Sequence, residues 1–554
     1  MVLKVEDVAS NFIHDIIDKD LQEGLAEEIH TRFPPEPNGY LHIGSAKAIW
    51  INYTIAKKYG GKFNLRYDDT NPVKEEEEYV ISIEEDLMWL GAIPSGGIFY
   101  GSDYFDQCYE YAKKLIIDGK AYVCDLSQEQ MSEYRGTLTE GGKESPYRNR
   151  SVRENLELFE KMKAGAFAEG ECTLRAKIDM SSSNMNMRDP VLYRIIYASH
   201  HRQGDKWCIY PMYDFAHPIQ DAQEGITHSL CSIEFENHRP LYDWVIDNIG
   251  VSHKPHQYEF ARLNMTYTVM SKRYLRKLVE TNVVDGWDDP RMPTLCGLRR
   301  KGYTPSAIFE FISKSGVSKT FSIADVKFLE HCLCTELNET AQRRIAVTQP
   351  LSVIITNYPS NEIEYFDISN NPQKPEQGKR SLPFTNELYI EQSDFLVEPA
   401  PGFKRLVLGG EVRLMGAYIL KCNEVEYDEK GNAAKLLCTV DLETKNNKPA
   451  DGRKVRGTIH WLSAGHTLDA QFRIYNQLFN KENVSSLLED DNFEEFLDPD
   501  SLEVYDNCKM ELALEHAKTG ENIQFVRQGY YVKDSKHDGV FNRTAPLKSS
   551  YRPK

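Results

Sequence analysis

A proline- and glycine-rich loop, residues 34–39 (PPEPNG), separates a strand-like segment from a helical one and leaves few folds open. The apolar segment 29–33 before the loop predicts a strand, and residues 42–58 after it predict a helix. A second strand at 62–67 and a second helix at 74–90 repeat the alternation. This alternation is typical of a parallel α/β sheet, in which ligands bind at the carboxyl ends of the strands.

The rest of the chain predicts further domains, because 554 residues are too many for one hydrophobic core. The α/β pattern predicts a split α/β domain of residues 1–100 and 211–260, with an insertion of mixed helices and strands at 101–210. Helical periodicity over 261–340 predicts a helical domain. Short alternating β segments over 341–554 predict one or two β-barrels, so we expect an α/β fold followed by β domains.

Composition narrows the class of protein. No run of about eighteen or more apolar residues occurs, and residues 1–20 lack a signal-peptide pattern, so we expect a cytoplasmic protein with no membrane contact. The eleven cysteines are scattered, and residues 331–334 (HCLC) lack the second ligand pair of a tetrahedral zinc site, so we expect no metal site. The net charge of −18 means that any RNA would be held by local basic patches.

Two separate stretches have the chemistry of a nucleotide site. In the first, Gly39 and Gly44 permit close approach of the backbone, and His42 adds a donor at the start of the predicted helix, where phosphates bind. The second, residues 270–273 (MSKR), places Lys272 in a polar loop, from which a lysine can neutralise phosphate charge. Taken alone, the first stretch could be a tight loop that caps a helix, and the second a surface lysine.

Together the two stretches resemble the signature pair of the class I aminoacyl-tRNA synthetases. Further blocks resemble the bacterial type of the glutaminyl/glutamyl subgroup, namely residues 65–72 (LRYDDTNP), 210–215 (YPMYDF) and 224–231 (EGITHSLC). The resemblance extends from about residue 11 to about residue 544. It implies a Rossmann-like nucleotide-binding domain with an inserted acceptor-binding domain, a helical domain that begins with the MSKR loop, and two C-terminal anticodon-binding β-barrels.

The resemblance implies ATP-dependent ligation of an amino acid to tRNA through an adenylate, with tRNA bound before the adenylate forms. ATP would be a substrate with Mg²⁺ on its phosphates, and catalysis would consist of positioning and charge stabilisation without a covalent nucleophile. His42 and Lys272 would be the catalytic residues. The residues that would bind ATP are Glu36, Pro37, Asn38, His42, Ile43, Gly44, Ser45, Ala46, Lys47, Ala48, Ser232, Arg262, Leu263, Met270, Ser271 and Lys272.

One position departs from the family's pattern. Ser45 stands where the first motif has a second histidine. A serine hydroxyl can donate to a phosphate or cap the helix, but it cannot carry the charge of an imidazolium. A catalytically weak tRNA-binding paralogue therefore remains an alternative function.

Glutamine and glutamate are nearly isosteric, so a site must separate them by polarity. Glutamyl enzymes of the subgroup carry an arginine, which favours a carboxylate, at the position of the neutral Cys231. By resemblance, Tyr213 would accept a hydrogen bond from the amide and Gln257 would order a nearby water. Arg32 and Asp68 would pair with the α-carboxylate and α-ammonium. These residues favour L-glutamine and tRNA(Gln), and a glutamyl or non-discriminating enzyme is the alternative within the class.

Contacts with tRNA are also implied by the resemblance. Leu138 would be an apolar wedge against the first base pair of the acceptor stem, although an exposed leucine in a β-turn is the simpler interpretation. Asn237 stands where the family has an aspartate that reads the acceptor minor groove, and an amide can both donate and accept there. The residues that match anticodon contacts are Arg343, Lys404, Arg405 and Arg527. We expect the protein to be a monomer.

Overall fold

The computed structural model describes residues 10–73, 76–445, 448–484 and 493–552. They form two compact units. The first unit comprises residues 10–73, 76–264 and 309–324, and the second comprises the other described residues. Residues 1–9, and residues 74 and 75 of the predicted second helix, lie outside the described part of the chain. In the residues that are described, no helix is long and apolar enough to cross a membrane.

The first unit contains both helices and strands. Its helices are α1 (Phe12–Gln22), α2 (Ile43–Lys58), α3 (Glu77–Leu90), α4 (Phe105–Ile117), α5 (Gln128–Arg135), α6 (Val152–Lys163), α7 (Tyr213–Gln223) and α8 (Arg239–Ile249). Its strands are β1 (His30–Phe33), β2 (Lys62–Tyr67), β3 (Gly97–Tyr100), β4 (Ala121–Cys124), β5 (Thr173–Ala176), β6 (Val191–Ile195), β7 (Ile209–Pro211), β8 (His228–Ser232) and β9 (His256–Phe260). The predicted strand at 29–33 and helix at 42–58 are confirmed as β1 and α2.

Strands β1, β2 and β3 form a parallel sheet, in which His30 lies opposite Lys62 and Asn64 lies opposite Gly97. Strands β8 and β9 also pair in parallel. The predicted parallel α/β sheet is therefore confirmed. Because the strands run in one direction, the loops that follow β1 and β2 leave from the same edge of the sheet.

A second sheet of the first unit, β4-β5-β6-β7, is antiparallel. Its apolar face packs with α4 and α6 around Phe105, Phe159 and Tyr193, all of which are buried. The ring centroids of Phe159 and Tyr193 are 5.4 Å apart in an edge-on arrangement, which aromatic pairs favour. This sheet and its helices account for most of the segment 101–210.

A buried ion network joins the parallel sheet to α7. The carboxylate of Asp221 on α7 accepts hydrogen bonds from Arg32 of β1 at 3.0 Å and Arg66 of β2 at 2.7 Å. Ser229 and Tyr242 donate to its other oxygen at 2.6 and 2.9 Å. Burial alone would raise the pKa of Asp221, but Arg32 and the other nearby positive groups hold it well below its usual range. The network therefore remains ionised.

The chain continues through β10 (Asn264–Met265), α9 (Lys272–Glu280), α10 (Leu295–Lys301), α11 (Pro305–Ser315), β11 (Ile323–Ala324) and α12 (Val326–Thr340). The strands that follow are β12 (Gln342–Arg344), β13 (Ala346–Val347), β14 (Pro350–Ile355), β15 (Glu364–Ser369), β16 (Lys379–Phe384), β17 (Glu387–Glu391), β18 (Phe395–Leu396), β19 (Leu406–Val407), β20 (Glu411–Leu414), β21 (Ile419–Tyr427), β22 (Ala433–Asp441), β23 (Thr458–Ile459), β24 (Leu462–Ser463), β25 (Thr467–Tyr475), β26 (Leu502–Glu511), β27 (Asn522–Phe525), β28 (Gly529–Lys533) and β29 (Val540–Ala545).

The second unit contains two seven-stranded mixed sheets. Their strand orders are β12-β27-β28-β29-β25-β26-β13 and β23-β20-β21-β22-β14-β17-β24. Trp461 is fully buried in the core of the second sheet, and Phe472 is fully buried in the core of the first. The prediction of a strand-rich region after residue 341 is therefore confirmed.

Candidate functional site

Helix α2 begins at a hydrogen-bonded N-terminus. His42 is its N-cap residue, and Nδ1 of the imidazole accepts a hydrogen bond from the backbone N–H of Gly44 at 3.1 Å. The Oγ of Ser45 accepts from the backbone N–H of His42 at 3.4 Å, which closes a capping box. Of the two roles considered for the Ser45 hydroxyl, the structure shows helix capping.

Gly44 leaves room for the His42 imidazole, which a side chain at this position would displace. A Cβ at this position would lie 2.8 Å from Cε1 of His42 and 4.0 Å from the carbonyl oxygen of Leu263. One turn later, the buried Lys47 donates from Nζ to the carbonyl of Ala261 at 2.8 Å, and burial lowers the pKa of its ammonium. The segment that carries Leu263 therefore lies against the first turns of α2.

The loop before α2 and the helix itself carry the neighbouring residues that the sequence predicts for ATP. Pro37 is buried, Glu36 is exposed, and the side-chain amide of Asn38 donates to the Glu36 carboxylate. The predicted positions on α2 are Ile43 and Ala46, which are buried, and Ala48, which is half-buried.

Two further predicted ATP residues converge on one carboxylate. The guanidinium of Arg262 pairs with Glu234 at 2.8 Å, and the hydroxyl of Ser232 donates to the same side chain at 3.4 Å. Ser232 ends β8, so this pair lies at the carboxyl end of a parallel strand, where ligands of such sheets bind.

The second predicted phosphate-binding stretch belongs to the second unit. Ser271 is the N-cap residue of α9, and Lys272 is its first residue. Met270, Ser271 and Lys272 are each half-buried. The participation of these residues in an ATP site stays a prediction.

A cavity of about 180 Å³ opens where β2 ends. Asp68, which directly follows β2, and Tyr213, the first residue of α7, both lie on its wall. The wall also contains Glu36, Asn38, Thr70, Asn71 and Arg194. Residues predicted for ATP and residues predicted for the amino acid therefore share one cavity.

Asp68 has an unusual electrostatic environment. Its residue is only 8% exposed, and burial raises the pKa of the carboxyl to about 6. A hydrogen bond of 2.8 Å from the Thr70 hydroxyl opposes this shift, while the carboxylates of Glu36 and Asp69 add to it. Burial disfavours the ionised form of Asp68 in the protein alone. A ligand with a positive charge would stabilise that form and would itself bind more tightly.

Two of the side chains next to Tyr213, His217 and Cys231, are neutral. Its ring stacks on His217 with centroids 4.8 Å apart, and burial lowers the pKa of that imidazole far below its usual value. Burial first, and the neighbouring Cys231 next, raise the pKa of the Tyr213 phenol. Cys231 contacts the carbonyl of Tyr258 at 3.9 Å, and burial raises the pKa of its thiol to about 12. This thiol is neutral at physiological pH.

Gln257 and Arg32 are buried and already hydrogen-bonded to protein groups. Nε2 of Gln257 donates to the carbonyl of Phe235 and to Glu259, both at 3.1 Å. Besides Asp221, Arg32 donates to the carbonyl of Leu230 at 2.8 Å and to the Ser229 hydroxyl at 2.7 Å. Because the Arg32 guanidinium is fully buried within this network, its contact with the α-carboxylate stays a prediction.

Leu138 is exposed on a constrained turn. Its residue is 81% exposed. Nη1 of the buried Arg188 lies 2.8–2.9 Å from the carbonyl oxygens of Arg135, Thr137 and Glu140, on both sides of the leucine. The buried guanidinium of Arg188 therefore fixes the turn on which the side chain of Leu138 is exposed to solvent. Asn237 is also exposed.

Basic residues of the second unit surround an open cavity of about 490 Å³. Lys404, Arg405 and Arg527 line it. Both arginines pair with the buried Asp394, Arg527 at 2.7 Å and Arg405 at 3.2 Å. Arg343 lies elsewhere in this unit, 8% exposed, and donates to the carbonyl of Asn338 near the end of α12 at 2.6 Å.

Asp69, His200 and His201 form the one group, among the residues described, whose ligand atoms lie close enough together for a metal ion, within 4.8 Å of one another. However, Nε2 of His200 donates to the backbone carbonyl of Asp69 at 2.6 Å, so it carries a hydrogen and is not a ligand in this arrangement. In the segment 331–334, for which the sequence predicts no metal site, both cysteines are buried on α12. We assign no metal to either group.

Sequence reasoning missed Arg194 and Arg188. Arg194 is a charged residue within the otherwise apolar strand β6, and such a charge in a half-buried strand is a usable signal for a ligand site. Arg188 has no comparable signal, because its partners are backbone carbonyls about fifty positions earlier in the chain.

Comparisons with known proteins agree with these features. Residues 28–339 match the tRNA synthetases class I (E and Q), catalytic domain, and residues 341–441 and 458–534 match two anticodon-binding domains of the same class. A glutamine–tRNA ligase of Vibrio cholerae is 55% identical over 546 residues, which cover 98% of each chain. One of Clostridium kluyveri is 53% identical over 548 residues, again 98% of each chain.

Among solved structures, a glutamate tRNA ligase of Elizabethkingia meningosepticum aligns with a TM-score of 0.43 and 18% identity, over 57% of this chain and 70% of that one. This similarity is too weak to support a structural argument. The family matches and the two glutamine–tRNA ligases, in contrast, cover nearly the whole chain. The chain belongs to the class I (E and Q) family of tRNA synthetases.

Proposed function

We propose that this protein ligates L-glutamine to tRNA(Gln) in an ATP-dependent reaction that passes through a glutaminyl-adenylate and releases AMP and pyrophosphate. The relatives that match 98% of the chain are glutamine–tRNA ligases. The observation that carries the choice of amino acid is the neutral, half-buried thiol of Cys231 next to Tyr213. A neutral group at this place offers no counter-charge to the side chain of glutamate.

In the first step, the carboxylate of glutamine attacks the α-phosphorus of ATP, the bond to the β-phosphate breaks, and pyrophosphate leaves. The N-terminus of α2 supports a role in holding the phosphates, since its first N–H groups and its dipole favour anions. Gly44 permits the close approach, and His42 is oriented by its bond to the Gly44 amide. Lys272 keeps its predicted role of neutralising phosphate charge. Mg²⁺ would be bound by the phosphate oxygens of ATP.

A carboxylate at one end of the proposed glutamine site and a neutral group at the other end support binding of glutamine. The carboxylate of Asp68 suits the α-ammonium, because a cation relieves the cost of its burial. At the other end, Glu259 lies directly across from Cys231 in the register of β9 and β8, fully buried. The Glu259 carboxylate is already paired with Arg239 at 3.4 Å, so the discrimination against glutamate depends on the neutral thiol of Cys231.

In the second step, the terminal ribose hydroxyl of tRNA attacks the acyl carbon and AMP leaves. We assign the acceptor end to residues 101–210, with Leu138 as the wedge, because an exposed leucine on a turn fixed by Arg188 is suited to displace a base. The exposed Asn237 would contact the acceptor minor groove. The finer arrangement, a split Rossmann-like domain at 1–100 and 211–260, is part of this proposal.

The anticodon is assigned to the second unit. Lys404, Arg405 and Arg527 line one cavity. The two arginines share one buried carboxylate, that of Asp394, which leaves an excess of positive charge. Such a cavity suits an unstacked base and its phosphate. We assign residues 261–340 to a helical domain and residues 341–554 to two β-barrels, which the two seven-stranded sheets support. Arg343 would contribute less directly, since its guanidinium binds the end of α12.

Two alternatives predict different behaviour. A glutamyl or non-discriminating enzyme would accept glutamate, and a weak paralogue, suggested by the capping role of Ser45, would bind tRNA without rapid activation. ATP–pyrophosphate exchange with and without tRNA, measured separately for glutamine and glutamate, separates them. We expect exchange with glutamine in the presence of tRNA, and little with glutamate. Exchange with neither amino acid would reject the enzymatic function.

The substitution Cys231→Arg should lower kcat/KM for glutamine by about tenfold or more and increase the use of glutamate, because it replaces a neutral thiol with a carboxylate-binding cation. The measurement is aminoacylation with each amino acid at saturating ATP and tRNA. Cys231→Ser keeps a small neutral side chain and should preserve the preference for glutamine. Unchanged kinetics of Cys231→Arg would contradict the assigned role of this position.

The substitution Gly44→Ala should lower kcat by about tenfold to a hundredfold, because the added Cβ displaces the His42 imidazole and misplaces the phosphates. Gly465→Ala is the matched control, since a Cβ at Gly465 meets no heavy atom within 4 Å. Wild-type turnover by Gly44→Ala, together with an unchanged KM for ATP, would show that the phosphates bind elsewhere.

The kcat/KM for glutamine should fall as the pH drops through about 6, the raised pKa of Asp68. Above this pH the carboxyl is ionised and attracts the ammonium, and below it the carboxyl gains a proton and loses that attraction. Asp68→Asn should lower kcat/KM and remove this acid limb. A wild-type profile that stays flat from about pH 5 to about pH 8 would argue against Asp68 as the ammonium ligand.

A further inference from the structure

Behind the amino-acid cavity, Asp69 makes a dense set of hydrogen bonds with residues of two other loops. Its side chain is fully buried. One carboxylate oxygen accepts from the backbone N–H of Ser102 at 2.7 Å. The other accepts from the Ser102 hydroxyl at 2.6 Å and from Nε2 of His201 at 3.1 Å. Asp69 directly follows Asp68, so these bonds act on the backbone that carries the predicted ammonium ligand.

His200 bonds to the backbone of Asp69 rather than to its side chain. Nε2 of the buried imidazole donates to the Asp69 carbonyl at 2.6 Å. Nδ1 accepts from the backbone N–H groups of Arg202 and Gln203 at 3.1 and 3.2 Å. The hydrogen of the neutral ring therefore lies on Nε2, and burial, which lowers the pKa of His200, keeps the ring neutral.

The His200 ring is itself held rigidly. It meets Phe105 edge-on with centroids 5.6 Å apart and stacks beside Tyr210 at 6.3 Å. The backbone of His200 donates a hydrogen bond to the carbonyl of Gly204 at 3.0 Å and accepts one from the N–H of Gly204 at 2.8 Å. These two bonds close the turn that carries His200 between β6 and β7. The donor that reaches Asp69 is therefore fixed by the antiparallel sheet and its helices.

The backbone of Asp68 is consequently fixed on both sides. Its own N–H donates to the carbonyl of Pro35 at 2.9 Å, and the next carbonyl, that of Asp69, is held by His200. These bonds hold the backbone, and the Thr70 hydroxyl, which donates to the carboxylate at 2.8 Å, holds the side chain of Asp68 at the cavity wall. Loss of either bond would let the backbone turn and move the carboxylate, and a shift of about 1 Å in a positioning group can cost about a hundredfold in rate.

We propose that His200 is a positioning residue for the amino-acid substrate, and that its Nε2–H bond to the Asp69 carbonyl directs the Asp68 carboxylate at the α-ammonium. This inference rests on the proposed function, because it needs an amino acid in the cavity. It also makes the turn 200–203 the connection between the segment assigned to the acceptor end and the site assigned to glutamine.

Two substitutions separate the donor of His200 from its acceptor. The side-chain oxygen of asparagine lies where Nδ1 lies, so His200→Asn keeps an acceptor for the turn and loses the donor to Asp69. The amide nitrogen of glutamine reaches as far as Nε2, so His200→Gln keeps the donor and loses the acceptor. A purely structural role would make both variants less stable and would affect all substrates alike.

The experiment measures KM for glutamine, KM for ATP, kcat and the melting temperature of the full-length chain in the aminoacylation reaction with tRNA(Gln). We expect His200→Asn to raise KM for glutamine by about tenfold. Its KM for ATP should stay within about twofold, and its melting temperature within about 3 °C of wild type. His200→Gln should keep KM for glutamine within about twofold.

His253→Asn is the matched control. Its Nε2 also donates to a backbone carbonyl of the first unit, that of Ile226, at 2.7 Å. It should leave KM for glutamine unchanged. If His200→Asn does not fold, His200→Gln decides: a KM for glutamine like that of wild type supports the proposal, and a raised one contradicts it.

A wild-type KM for glutamine in a folded His200→Asn variant would overturn this inference alone. Equal increases of KM for glutamine and for ATP would also overturn it, because they would indicate a general structural effect. If the wild-type protein does not attach glutamine to tRNA(Gln), the proposed function is wrong, and this inference is wrong with it.

Discussion

The buried carboxylate of Asp221 is the interaction on which the first unit depends. It joins Arg32 of β1 and Arg66 of β2 to helix α7, and none of these three side chains is exposed. Removal of one partner from such a network leaves an uncompensated buried charge, at a cost of about 3–5 kcal/mol. The strands and the helix therefore keep a fixed relation to one another. Because Asp68 follows β2 and Tyr213 begins α7, the same constraint brings both to one cavity.

In the function proposed above, the selection between glutamine and glutamate depends on the charges of Asp68, on the wall of this cavity, and of Cys231, next to Tyr213. Burial leaves Asp68 able to ionise near neutral pH, whereas burial leaves the thiol of Cys231 protonated. Glutamine has a cationic ammonium and a neutral amide, which match these two groups, and glutamate has a second negative charge, which does not. Since the two amino acids have nearly the same shape, we propose this difference in charge as the physical basis for separating them.

Much of this arrangement could be predicted from the sequence, because it depends on local patterns. The alternation of β1, α2 and β2, and the position of His42 at the start of α2, follow from periodicity and from the proline- and glycine-rich loop. The function of Ser45 could not be settled from sequence, because a hydroxyl can cap or donate. His200 and Arg188 could not be predicted, since each acts on backbone carbonyls remote in sequence, whose positions depend on tertiary packing.

The comparison of glutamine with glutamate in charging of tRNA(Gln) tests the central claim most directly. Initial rates for the wild-type protein, at saturating ATP and tRNA, give kcat/KM for each amino acid. A neutral site facing the amide predicts that glutamine exceeds glutamate by at least about a hundredfold. Equal values, or a preference for glutamate, would contradict the account.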